Sequence, residues 1–209
     1  MSAKYRLAIF DFDGTLADSF PFFIRVFNQL AEQHGFKGID PDLASTYRGY
    51  DARQIMEQVG LPAWKLPLVA KSFISLMKQN AASISLFEHT DDMLLHLSNK
   101  GVALAIVSSN SYDNVSRILG PANTNLISQF ECGVSIFGKS TRIRRVLEKT
   151  GIPPHEAIYI GDQVADIEAA RKEKVAFGAV SWGYATIESL RAHFPEEEFD
   201  SVSAIRRIA

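Results

Sequence analysis

Short apolar runs that stop at polar or charged residues punctuate this chain. The first, Leu7-Ala8-Ile9-Phe10, leads into Asp11-Phe12-Asp13-Gly14-Thr15-Leu16. It predicts a buried strand over 6–10, with two carboxylates at its C-terminal end. From about 18 to 88 the pattern is helical. Phe22, Phe23, Val26, Phe27 and Leu30 recur at helix spacing, then Ile55, Met56 and Val59, then Leu68, Phe73, Ile74, Leu76 and Met77. Turn signals at Gly35, Gly38-Ile39-Asp40-Pro41 and Gly60-Leu61-Pro62 separate these stretches. They predict a small helical bundle with an aromatic core.

From about residue 89 strands and helices alternate. A helix is expected over 91–100, and a strand over Val102-Ala103-Leu104-Ala105-Ile106-Val107, unbroken in apolar character as buried parallel strands are. A helix then runs to about Leu119, a short strand lies near Cys132 to Val134, and a helix covers 140–150. Ala157-Ile158-Tyr159-Ile160 reads as a strand, 167–172 as a helix and 175–180 as a strand. A short helix near 187–192 and a strand plus helix over 199–207 close the chain. This order predicts an α/β fold, a Rossmann-like doubly wound parallel sheet with a helical cap inserted after the first strand. The core would comprise 1–17 and 89–209, and the cap 18–88, joined by linkers near 15–18 and 84–90.

Polar residues gather at the predicted strand ends. Side chains two apart leave a strand on the same side, so Asp11 and Asp13 can converge while Phe12 turns into apolar packing. Two such carboxylates repel unless one is protonated or a cation lies between them. Ser108, with Ser109 and Asn110 behind it, ends the second long strand. Lys139 opens a helix, and Gly161-Asp162-Gln163-Val164-Ala165-Asp166 follows another strand. In a parallel sheet these ends share one edge, where open α/β sheets place their sites. Each residue has an ordinary alternative as a turn, cap or surface residue. Their joint appearance at strand ends points instead to metal-assisted chemistry with a carboxylate nucleophile.

Composition narrows the class. Of 209 residues, 46% are hydrophobic, which sustains a proper core. No run is long enough to span a membrane, and Asp11 and Asp13 interrupt any signal-peptide pattern. One cysteine, Cys132, excludes an internal disulfide framework. A net charge of -2 with interspersed signs carries no footprint for nucleic acid or an anionic membrane. The five histidines share no zinc-like spacing with each other or with Cys132. The expectation is a cytoplasmic protein, monomer or homodimer, acting on a small molecule.

The set resembles the haloacid dehalogenase-like hydrolase superfamily, in its phosphoglycolate phosphatase-like branch, over nearly the whole chain. Residues 11–19 (DFDGTLADS) match its first motif, Ser108 the second, Lys139 the third, and Gly161-Asp162 with Asp166 the fourth. Many relatives carry proline after the lysine, where this chain has Ser140. The Trp182-Gly183-Tyr184 loop also looks like the family, and 18–88 like its cap. The resemblance implies Asp11 as nucleophile and Asp13 as acid and base. It implies Mg²⁺ on Asp11, the backbone carbonyl of Asp13 and Asp162, with Ser108 and Lys139 on the phosphoryl group and Asp166 behind them. Ser109, Asn110 and the cap residue Arg48 are candidate substrate contacts.

Within the superfamily the acid at 13 favours phosphate esters over halide or phosphonate chemistry. A phosphomutase, which carries a histidine in the first cap helix, is the alternative; Pro21-Phe22-Phe23-Ile24 has none. A receiver domain would be shorter and lack the helical insert. A phosphate-accepting signalling or binding protein without turnover is the other alternative.

Overall fold

Four apolar residues, Leu7–Phe10, form the first strand (β1), and none is exposed. A strand covered on both faces takes an unbroken apolar run. The computed structural model describes residues 4–40, 46–47, 52–80, 83–133 and 138–209. After β1 the chain turns into β2 (Ala17–Asp18) and then α1 (Phe20–His34), which has Pro21 in its first turn, where a missing N–H costs nothing. Gly35 ends α1 in the left-handed region at φ 67°, its N–H bonded to the carbonyl of Ala31. Next come α2 (Ala52–Val59), α3 (Leu66–Asn80) and β3 (Ser85–Leu86). Strict alternation follows, through α4 (Thr90–Asn99), β4 (Ala103–Ser108), α5 (Tyr112–Leu126) and β5 (Gln129–Cys132). Then come α6 (Lys139–Thr150), β6 (Ala157–Gly161), α7 (Val164–Lys172), β7 (Ala176–Val180), α8 (Ile187–Arg191) and β8 (Glu197–Phe199). A 3₁₀ segment, Val202–Ile208, closes the chain.

Six strands form one parallel sheet in the order β5-β4-β1-β6-β7-β8. This is the doubly wound, Rossmann-like arrangement, with β1 in the middle. The period of two sorts its side chains. Leu7 and Ile9 join Ala105, Val107, Tyr159 and Phe177 under α6 and α7, and Ala8 and Phe10 join Ile106, Ile158 and Ile160 under α4 and α5. Burying each large aliphatic side chain contributes roughly 1.5–3 kcal/mol.

The insert after β2 is helical. Its aromatic stripe meets in pairs: Phe73 of α3 lies against Phe22 and Phe23 of α1, with ring centroids 6.3 and 5.7 Å apart. The two linkers are themselves paired. β2 and β3 form an antiparallel ribbon, Ala17 opposite Leu86 and Asp18 opposite Ser85, and the N–H of Phe87 donates to the carbonyl of Leu16 at 2.9 Å. Two-residue strands have no periodicity to read, so the pattern predicted only linkers there.

Other boundaries differ from expectation for identifiable reasons. α5 does not stop at Leu119: the chain breaks at Gly120 (φ 73°, ψ 165°), passes Pro121 and resumes to Leu126. β5 lies at 129–132, earlier than predicted, and Val134 is outside the described residues, as is Arg48. No helix among the described residues is long and apolar enough to cross a membrane.

Candidate active site

The sheet order reverses direction at β1. β4 lies on one side of it and β6 on the other, so the C-terminal ends of these three strands border one crevice. Asp11 follows β1 and is 4% exposed. Its Oδ1 accepts the N–H of Phe12 at 2.8 Å, and its Oδ2 accepts Lys139 Nζ at 2.9 Å. Phe12 turns away into the apolar cluster. Lys139, the first residue of α6, also pairs with Asp166. A helix N-terminus disfavours a cation; two carboxylates reverse the balance. Tyr159 lies beneath this lysine, its ring centroid 5.8 Å from Nζ.

Asp162 and Asp166 frame the start of α7, and both are fully buried. Oδ2 of Asp166 accepts the backbone N–H of Gln163 at 3.1 Å, closing a capping box, while its other oxygen faces Lys139. Asp166 therefore caps α7 and pairs with Lys139 at the same time. Asp162 is fixed at both oxygens, by the hydroxyl of Thr15 at 3.1 Å and the N–H of Tyr184 at 2.7 Å. Two glycines give it room. A Cβ on Gly14, which has φ +81°, would stand 2.4 Å from Oδ2 of Asp162, and one on Gly183 would stand 2.1 Å from its Cβ.

On the other side of β1, Asn110 reaches across to Asp13, its Nδ2 donating to Oδ2 at 3.0 Å. Oδ1 of Asp13 is buried with no hydrogen-bond partner. Ser108 is 1% exposed, and its hydroxyl oxygen accepts the N–H of Asn110 at 3.1 Å, which leaves it a proton to donate. Its carbonyl accepts the guanidinium of Arg142 at 2.8 Å. Ser109 is exposed, outside this buried set.

The charges are out of balance. Burial, then the charge of Asp11, pushes the Asp13 carboxyl up to about 6; Asn110, Ser19 and Lys139 pull the other way. Burial likewise lifts Asp166 to about 6 against the pull of Lys139. Burial, Asp11 and Asp166 hold Asp162 well above the usual carboxylate range. For Lys139, burial opposes the charge, but Asp11 and Asp166 outweigh it and hold its pKa well above the ordinary value. Four carboxylates thus share one ammonium.

Asp11, Asp162 and Asp166 each offer an oxygen, and these oxygens lie within 4.8 Å of one another. Hard oxygen donors with excess negative charge fit a divalent cation, and Gly14 and Gly183 let the backbone close tightly on Asp162. Asp166, which the resemblance puts behind the metal and phosphoryl contacts, offers the third oxygen of this trio and also faces Lys139.

Periodicity and spacing gave no role to several residues that build the site. Thr15, Ser19 and Tyr184 bond to the carboxylates or to each other, and Arg142 supports Ser108. The available signal was polar residues beside a turn glycine, in Gly14-Thr15 and Gly183-Tyr184.

The family model for haloacid dehalogenase-like hydrolases matches residues 8–180. A phosphoglycolate phosphatase of Synechococcus elongatus is 31% identical over 189 residues, covering 90% of this chain and 89% of that protein. A phosphoglycolate phosphatase of Aquifex aeolicus is 26% identical over 188 residues, covering 88% of each. Among solved structures, a haloacid dehalogenase-like hydrolase of Streptococcus pneumoniae shares the fold with a TM-score of 0.83, at 20% identity over 97% of each chain.

Proposed function

The chain belongs to the haloacid dehalogenase-like hydrolases, and from that premise we propose that it hydrolyses a small phosphate monoester, phosphoglycolate or a close analogue, with Mg²⁺ and through an aspartyl-phosphate on Asp11. The observation that carries this reading is the placement of Asp11. It is buried at the end of the central strand, paired with the ammonium of Lys139 and close to the carboxylates of Asp162 and Asp166. Carboxylates so crowded repel a phosphate dianion unless a cation joins them.

In this mechanism a carboxylate oxygen of Asp11 attacks phosphorus, and the bond from phosphorus to the leaving oxygen breaks. Asp13 gives that oxygen its proton; a carboxyl held at about 6 is protonated in part near neutrality. Asp13, now charged, then takes a proton from the water that attacks the phosphoryl group. The bond from Asp11 to phosphorus breaks, phosphate leaves, and both carboxyls return to their first state. Ser108 and Lys139 donate to the phosphoryl oxygens, where charge develops in the transition state. Asp11 and Asp162, with the backbone carbonyl of Asp13, would hold Mg²⁺, which supplies neutralising charge to the incoming dianion. Asp166 positions Lys139.

The 18–88 insert serves as the lid over this crevice, hinged at the β2–β3 ribbon. Its first helix, α1, has its one histidine at the far end, His34, rather than near the hinge, which supports hydrolysis over phosphoryl transfer between substrate hydroxyls.

A screen of the pure protein against a panel of phosphate monoesters, in EDTA and in Mg²⁺, tests this reading. Turnover should vanish in EDTA and return with Mg²⁺, and small carboxylated esters should rank highest. Equal turnover in metal-free buffer would overturn the metal role, and none on any ester would overturn the phosphatase reading.

A further inference from the structure

Asn110 joins the proposed acid to the helix that follows β4. Its Nδ2 donates to Asp13 Oδ2 at 3.0 Å. Its Oδ1 accepts two N–H groups, from the backbone of Ser111 at 2.9 Å and from Nδ2 of Asn114 at 3.0 Å. Its own backbone N–H donates to the hydroxyl oxygen of Ser108 at 3.1 Å. The side chain is thus held at both ends of its amide. Asn114 lies in the first turn of α5 and is 1% exposed. The helix cap Ser111 fixes that turn, its hydroxyl oxygen accepting the backbone N–H of Asn114 at 3.3 Å.

Donor counting settles which way both amides face. An amide donates at nitrogen and accepts at oxygen. A backbone N–H can only donate, so the atom that Ser111 reaches is the oxygen of Asn110, and the nitrogen faces Asp13. Turning Asn114 over would set its oxygen against that same oxygen, acceptor on acceptor. In the orientation it keeps, Oδ1 of Asn114 is buried with no hydrogen-bond partner. An acceptor left unpaired in this way costs about 1–3 kcal/mol. The fold gains little in return, because the N–H of Ser111 already satisfies the oxygen of Asn110. What the second bond adds is a fixed direction for the amide.

We propose that Asn110 is a positioning residue for the acid–base carboxyl, not a contact to substrate, and that Asn114 locks its amide with the nitrogen on Asp13. The proposal rests on the phosphatase reading above. The anchor at Oδ2 limits the rotation of the Asp13 carboxyl, which must meet the leaving oxygen from one direction.

The test compares leaving groups on three esters. Phenyl phosphate and p-nitrophenyl phosphate share a ring and carry no carboxylate, but phenolate is the stronger base and needs the proton of the acid more. Phosphoglycolate adds a carboxylate and an alkoxide leaving group. kcat/KM covers only the steps through departure of the leaving group, so the later use of Asp13 as base does not enter. Asn110→Ala should lower kcat/KM on phenyl phosphate about 20-fold, a fraction of the roughly 10²–10⁴ that a full general acid contributes, and on phosphoglycolate at least as much. On p-nitrophenyl phosphate the loss should stay under about 3-fold. Asn114→Leu keeps the branching of the side chain and removes the donor together with the unpaired oxygen. It should lose about 5-fold on phenyl phosphate and under about 2-fold on p-nitrophenyl phosphate. Asn114→Ala makes the same comparison where leucine overfills the site. The double variant should lose no more than Asn110→Ala alone, because Asn114 acts through Asn110. Equal losses on the two aryl esters, losses that multiply in the double variant, or a loss confined to phosphoglycolate would overturn the proposal, the last by making Asn110 a substrate contact. A wild-type protein inactive on all three esters would remove the phosphatase reading, and this inference with it.

Discussion

Lys139 Nζ lies 2.9 Å from Oδ2 of Asp11 and pairs with Asp166 on its other side. One ammonium thus joins a carboxylate from the end of a strand to one from the start of a neighbouring helix. Both carboxylates are buried and the lysine side chain is 24% exposed. Lys139→Ala should destabilise the metal-free protein by about 3 kcal/mol, the lower range for removing one partner of a buried pair. It should also cost about 10²–10³ in rate, the scale of losing one donor to developing charge. Urea unfolding in EDTA reads the first effect and steady-state kinetics the second. Wild-type stability in EDTA would mean that the two carboxylates do not depend on this lysine.

Asp11→Asn should abolish turnover while the fold survives. The amide is nearly isosteric, and its oxygen still accepts the N–H of Phe12. It cannot act as the nucleophile. A melting curve beside an activity assay decides the matter, and a folded variant with full turnover would remove Asp11 from the mechanism.

Why so much of this was legible in the chain follows from where the information lies. β1, β4 and β6 are covered on both faces, so their apolar runs are unbroken and end at the residue that enters the crevice. The Asp11–Asp13 pair is local and readable from spacing of two. The β2–β3 ribbon joins residues that are distant along the chain and only two per strand, below any periodic signal. The hydroxyl pair of Ser19 and Tyr184 spans 165 positions and exists only once the fold does. Asp166 shows a different limit. Spacing offers it as a helix cap or as a site residue, whereas its two oxygens do one task each.

Gly183→Ala should impair metal binding more than folding. A Cβ there would stand 2.1 Å from the Cβ of Asp162, an atom fixed by the backbone, so either the loop or the carboxylate must move. Moving the loop breaks the bond from Tyr184 N–H to Asp162. The expected result is a fold that still melts cooperatively, with a Mg²⁺-induced rise in melting temperature much smaller than that of wild type. An unchanged rise would show that Asp162 does not take part in holding the ion.

The same carboxylates predict a pH dependence for that metal effect. Burial first, then Asp11, holds Asp13 up at about 6 and Asp162 well above the usual range. A carboxyl whose pKa rises on folding binds protons more tightly in the folded chain than in the unfolded one. Its cost to stability is full above the folded value and is relieved as pH falls toward the unfolded value of about 3.9. These groups should therefore make the metal-free protein more stable at about pH 5.5 than at about pH 7.5. Glu197 works the other way: burial raises its pKa, but Lys4 and Arg207 outweigh that and depress it, so its contribution is lost at still lower pH, with or without metal. Mg²⁺ neutralises the charges that protons would neutralise, so the two compete. Melting temperatures with EDTA and with Mg²⁺ should differ most at about pH 7.5, and the difference should shrink at about pH 5.5. A difference that stays constant across this range would put the ion away from Asp13 and Asp162.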